Sequence, residues 1–251
     1  MRPKLVVGNW KMHGSMADNS RLLQGLLAGI AAVGDVDVSV CVPFPYLAQA
    51  QSMLAATPVA WGAQNLSEQK SGAFAGEVSA AMLGDFSCRH VIVGHSERRA
   101  MYGDTDEVVA AKFAAAKAAG LAPILCVGES LAQRESGETG RIVAGQLEFV
   151  LDRVGVEAFA GAVVAYEPVW AIGTGMTATP EQAQEVHAAI RALMAVRDQS
   201  VAAGLQILYG GSVKAQNAGE IFSKADIDGG LVGGASLVVN DFLAICQAAN
   251  R

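Results

Sequence analysis

The 251-residue sequence predicts an α/β chain folded as a single-domain (β/α)8 barrel. Short β-branched runs alternate eight times with longer helical patterns, the rhythm of repeated strand–helix units. The runs are apolar on both faces, as strands are when helices cover both sides of a parallel sheet. The positions just after the runs are unusually polar and glycine-rich, and in barrels the carboxyl ends of the strands carry the site.

The first unit is a strand from Lys4 to Asn9 with a helix around 17 to 32, and it leaves Asn9 and Lys11 at the strand end. The second pairs Asp37 to Val42 with a helix over 46 to 55. The third pairs Val59 to Gln64 with 79 to 86 and ends on Gln64 and Asn65. The fourth strand, His90 to Gly94, runs into His95, Ser96 and Glu97 before a helix over 105 to 119. Ala122 to Val127 is followed by Glu129 and a helix over 130 to 153. Ala162 to Tyr166 is followed by Glu167 and a helix over 180 to 200. The seventh strand, Gln206 to Tyr209, ends on Gly210, Gly211 and Ser212 before 215 to 222. The eighth, Gly229 to Val232, ends on Gly233 and Gly234 before 238 to 248. With no linker or low-complexity tract, residues 1 to 251 read as one domain. A doubly wound sheet is the runner-up, but Gly8-Asn-Trp-Lys stands after the first strand where that fold places G-x-G-x-x-G.

Apolar residues make up 52% of the chain against 17% charged, which implies a large core and some apolar surface kept for a partner subunit. The amino terminus does not read as a signal peptide, and no apolar stretch approaches the ~18 residues of a membrane span. Cys41, Cys88, Cys126 and Cys246 form no C-x-x-C pair and read as buried, reduced thiols of a cytoplasmic protein. Eighteen basic residues against 24 acidic give a net charge of −6 with no basic block, so neither nucleic acid nor an anionic membrane is an expected partner. An anion can still bind where the site is locally positive.

His13, His90, His95 and His187 show no metal-ligand spacing, and neither Ser96 nor Ser212 lies in a nucleophile elbow. No metal and no organic cofactor is expected. What remains is a histidine, a lysine and a strand-end glutamate suited to acid–base work on a small anion. The glycine pairs at 210–211 and 233–234 follow strands seven and eight, where barrels commonly hold phosphate on backbone N–H groups. Either pair alone would serve as a tight turn. The segment from Glu167 to Pro180 has a stiff end at Pro168, free backbone at Gly173 and Gly175, and Thr179-Pro180 as the start of a helix. Its apolar run, Val169, Trp170, Ala171 and Ile172, reads as a lid that excludes water, with a packed connection as the alternative. On the residues alone, His95 as a cap, Glu167 as a strand-end ion pair and Lys11 as a surface cation stay open.

Six segments in order resemble the triosephosphate isomerase family: Gly8-Asn-Trp-Lys-Met, Val93-Gly-His-Ser-Glu-Arg-Arg, Ile124-Leu-Cys-Val-Gly-Glu, Tyr166-Glu-Pro-Val-Trp-Ala-Ile-Gly-Thr-Gly, Tyr209-Gly-Gly-Ser-Val and Leu231-Val-Gly-Gly-Ala-Ser-Leu. The resemblance implies interconversion of dihydroxyacetone phosphate and glyceraldehyde 3-phosphate through an enediolate, as in glycolysis and gluconeogenesis. It implies Glu167 as general base, His95 as neutral electrophile, Lys11 as the cation offsetting phosphate and enediolate charge, and Asn9 as an orienting group. Asn9, Lys11, Gly173, Ser212, Gly233 and Gly234 match substrate-binding positions. Residues 168 to 176, including Thr174, Gly175 and Met176, match the lid, and Ile172 with Leu231 the apolar clamp on the base. It also implies a homodimer through the loop around Phe74.

Two positions depart from the family pattern. Met176 stands near the lid's carboxyl hinge where lysine is usual, and Ala75 stands in the intersubunit loop where threonine is usual. An aldolase-type or indole-forming barrel would share the phosphate turns but need its own catalytic set, such as a Schiff-base lysine, for which Lys11 is the nearest candidate. A non-catalytic barrel would have no use for Asn9, Lys11, His95 and Glu167 together.

Overall fold

The computed structural model describes residues 2–250; Met1 and Arg251, the ends of the expected domain, lie outside them. Strands β1 (Leu5–Asn9), β2 (Asp37–Val42), β3 (Val59–Ala63), β4 (His90–Val93), β5 (Ala122–Val127), β6 (Val163–Tyr166), β7 (Gln206–Tyr209) and β8 (Gly229–Val232) pair in parallel in chain order. Leu5 lies opposite both Asp37 and Gly229, so β1 closes the ring on β8. Helices between the strands cover the outside, as right-handed crossovers between neighbouring parallel strands require. No helix among the described residues is long and apolar enough to cross a membrane.

Strand alternation divides the apolar residues into two cores. Leu5, Val7, Ile92, Ile124, Cys126 and Leu208 are among those filling the barrel, while Val6, Val40, Val91, Val164 and Tyr166 pack outward against the helices. The same parity aims the strand ends. In β6, Val163 and Ala165 point inward and Glu167 continues their row; in β1, Leu5 and Val7 lead to Asn9. All four cysteines are buried and free.

The strand bounds follow the sequence pattern to within a residue at each end, but two expected helices are broken. The stretch 130 to 153 forms Leu131–Glu135 and Thr139–Val154, because Gly137 adopts φ +75° and ends the first segment. The stretch 180 to 200 forms Pro180–Arg197 and Gln199–Gly204. Between them Asp198 is extended, and its carboxylate accepts the Val201 N–H at 2.9 Å as a new N-cap. After β4 a short helix, Ser96–Tyr102, precedes Asp106–Ala118.

Candidate active site

At the carboxyl ends of the strands lies a cavity of about 380 Å³. Its lining brings together Asn9, Lys11, His95, Glu167, Ile172, Gly173, Ser212, Leu231, Gly233 and Gly234, from β1, β4, β6, β7, β8 and the segment after β6. Pro168, Val169, Trp170, Ala171, Thr174, Gly175 and Met176 are not in that lining. Of the four apolar residues 169 to 172, only Ile172 is in that lining.

The other three begin the segment after β6 and anchor it to the barrel. Val169, Trp170 and Ala171 form a turn of 3-10 helix, and Ala171 is fully buried. The Trp170 indole N–H donates to the Glu129 carboxylate at 2.9 Å, where the Tyr166 hydroxyl also donates at 3.0 Å. The Arg134 guanidinium lies 4.8 Å above the Trp170 ring and 3.4 Å from the same carboxylate. Beyond this anchor Gly173 and Gly175 take φ +70° and +83°, conformations costly for other residues. The Thr174 hydroxyl closes the bend by donating to the Trp170 carbonyl at 2.7 Å. Met176 is exposed, and the Thr179 cap with Pro180 begins the next helix.

Glu167 is 2% exposed, and one of its oxygens lies 3.0 Å from His95 Nε2. The Ser96 N–H donates to its other oxygen at 2.8 Å. Behind the imidazole, the Glu97 N–H donates to His95 Nδ1 at 3.2 Å. An acceptor at Nδ1 puts the single ring hydrogen on Nε2, facing Glu167, so the hydrogen-bond pattern assigns a neutral imidazole. Burial drives the Glu167 pKa up, but the pull of the adjacent His95 in its protonated form, its Nε2–H hydrogen bond and the Ser96 N–H outweigh it and hold the carboxylate below its usual range. Burial drives His95 down, and the charge and hydrogen bond of Glu167, with Glu97 behind them, outweigh it and raise the imidazole. The rise therefore depends on Glu167 staying in contact. Without that contact, burial would favour the neutral ring that the Glu97 N–H already holds.

Lys11 has φ +52°, an uncommon backbone state for a lysine, and the Gln64 amide holds it by donating to the Lys11 carbonyl at 3.0 Å. Its ammonium donates to Glu97 at 2.5 Å, and its N–H donates to the Asn9 side chain at 3.1 Å. Gly210 leaves room for Glu167: a Cβ there would lie 2.9 Å from Glu167 Cγ.

Sequence reasoning gave no role to Glu97, Gln64, Glu129 or Lys214. The first three were visible as polar strand-end residues, but nothing in linear order indicates that they hold Lys11, His95 and Trp170. Lys214, in the lining with His13, sits past the second glycine of its turn and reads as a helix-start residue. Among the described residues no group of three or more His, Cys, Asp and Glu is placed to hold a metal ion.

A buried carboxylate–imidazole pair at the strand-end mouth of a (β/α)8 barrel puts the chain in a class of barrels equipped for proton transfer. Comparison with known proteins narrows the class. The family model described as triosephosphate isomerase matches residues 4–249. The chain is 65% identical over 250 residues to a triosephosphate isomerase of Dechloromonas aromatica, with 100% of both chains covered. It is 64% identical to one of Thiobacillus denitrificans, again over the whole of both, and 59% identical over 248 residues to one of Cupriavidus taiwanensis, covering 99% of this chain and 100% of the relative. The chain belongs to the triosephosphate isomerase family.

Proposed function

We propose that Glu167, acting with His95, carries the isomerisation of dihydroxyacetone phosphate and glyceraldehyde 3-phosphate that family membership brings to this chain. The observation that carries the reading is the 3.0 Å contact between His95 Nε2 and Glu167 inside the cavity. Nε2–H is a single donor. A substrate carbonyl oxygen that takes it must displace the carboxylate, which then loses the influences that keep it weakly basic while burial, which strengthens it, remains. The freed carboxylate takes a proton from the carbon beside the carbonyl. Charge passes to the carbonyl oxygen, where Nε2–H and the Lys11 ammonium meet the enediolate. The enediolate's hydroxyl proton passes to its oxyanion beside Nε2–H, and the protonated Glu167 returns the carbon-bound proton to the neighbouring carbon, so no group is consumed. A glutamate base working beside a neutral histidine is the known pattern of this same family; for this chain the neutral ring is supported by the Nδ1 contact itself.

Asn9 orients Lys11, and the backbone at Gly173, Ser212, Gly233 and Gly234 grips the phosphate. Ile172 and Leu231 shut on the base when residues 168 to 176 close. The aldolase-type alternative is disfavoured because an ammonium held by Glu97 is not the free amine a Schiff base needs. We further infer one domain over residues 1–251, a cytoplasmic location suited to four free thiols, and a homodimer through the loop around Phe74. A coupled assay with glyceraldehyde 3-phosphate after treatment with EDTA tests the chemistry: turnover should persist. Loss of activity to the chelator with recovery on adding a divalent ion would overturn the reading.

A further inference from the structure

The chain carries a net charge of −6, yet its substrate is an anion, so attraction has to come from the mouth of the site itself. Two amine cations border the cavity, Lys11 and Lys214. They are not equivalent. The Lys11 ammonium is bound to the Glu97 carboxylate at 2.5 Å, so at a distance its charge is largely cancelled. Lys214 is exposed, and among the described residues its ammonium enters no ion pair. It also lies next to the turn that carries Ser212, and its backbone is pinned where Lys214 N–H donates to the Asn217 side chain at 2.8 Å. A free charge on a fixed backbone at the phosphate end is placed to act before the substrate is bound.

We propose that Lys214 is a steering residue for the phosphate dianion: it raises the rate of productive encounter and takes no part in proton transfer. This rests on the isomerase reading above. A screened, exposed charge acts on association and fades as the Debye length shrinks, whereas a group that shapes the site acts at every ionic strength. The two roles are therefore separable by salt.

The experiment measures kcat and KM of the full chain with glyceraldehyde 3-phosphate across ionic strength, for wild type, Lys214→Gln, Lys214→Glu and Lys214→Arg. At low salt kcat/KM should fall about fivefold in Lys214→Gln and about twentyfold in Lys214→Glu, chiefly through KM, and the gap should close in about 0.5 M salt. Lys214→Arg should keep the wild-type salt profile. With glyceraldehyde, which lacks the phosphate, the Gln and Glu variants should match wild type at every salt concentration. Equal losses at all ionic strengths, or the same loss with glyceraldehyde, would show that Lys214 shapes the site instead and overturn the proposal, as would no loss at low salt. A wild-type chain that isomerises neither substrate would sink the isomerase reading itself, an outcome distinct from normal wild-type turnover with a salt-independent variant.

Discussion

Glu167 meets two donors, His95 Nε2–H and the Ser96 N–H, and each has a different consequence for a substitution there. Glu167→Gln keeps the size and much of the hydrogen bonding but has no basic oxygen for the carbon-bound proton. Turnover should fall by several decades, with much less effect on the affinity of a phosphate-bearing competitive inhibitor. If turnover stayed within about tenfold of wild type, roughly 1.4 kcal/mol of barrier, another base would have to be found. The same variant reports on His95. The Glu167 charge and hydrogen bond raise the imidazole against its burial, so removing the charge leaves burial in command and lowers the His95 pKa. Following the His95 ring by NMR against pH in the two proteins should show it titrating at lower pH in the variant. An unchanged or higher midpoint would mean that the pair is not electrically coupled. The linkage signs follow. A lowered Glu167 stabilises the fold above its unfolded value near ~4.3, and that share is lost as pH falls through the folded value. A raised His95 stabilises below ~6.5, and that share is lost as pH rises through its folded value.

At the scale of elements, the breaks in the helices show what linear patterning can and cannot reveal. Asp198 interrupts an apolar period that otherwise runs on to residue 200, and only its extended backbone and the bond from Val201 N–H show that one helix ends and another begins there. Asp198→Ala should remove the cap at a cost of ~1 kcal/mol and lower Tm by about 2–4 °C in a chain of this size, with kcat unaltered. A Tm within error of wild type would mean that the Gln199–Gly204 segment does not depend on its cap. The strands were legible because parity and apolarity on both faces are local properties. The residues of the pair were legible too, since Glu167 and His95 stand just beyond strand ends. Less legible was the segment after β6: Val169, Trp170 and Ala171 have the composition of a cover, yet Glu129 and Arg134, from the preceding unit, hold Trp170 to the barrel wall. That arrangement depends on β5 and β6 being neighbours, a relation in space that no single segment states. The roles of Glu97 and Gln64 were hidden for the same reason, since each meets Lys11 only after the barrel closes.

For the whole molecule the open question is what covers the apolar surface beside the site. Phe74 is 45% exposed at the tip of a loop with Gly72 and Gly76 at φ +135° and +92°, and Met12, Met101 and Tyr102 are 93%, 66% and 68% exposed. The last three line a second cavity, of about 580 Å³, that also touches Lys11, His95 and Glu97. Large apolar side chains gathered in this way are a liability on a monomer and are ordinary at the centre of an interface. A partner's Phe74 loop seated in this cavity would cover them, so the chain is expected to be a homodimer whose interface supports the Lys11–Glu97 pair. Alanine at position 75, where the family usually has threonine, removes one hydroxyl and any bond it makes across the interface, a loss near 1 kcal/mol. The apolar contact of Phe74 remains, and an interface of ordinary size withstands such a loss. Ala75→Thr should therefore tighten the dimer, by about fivefold in Kd for each of the two copies of the contact, while wild type should already sediment as a dimer at micromolar concentration. Analytical ultracentrifugation of both proteins decides it: a fully active wild type sedimenting as a single species near the 25.9 kDa chain mass would refute the assignment of this surface.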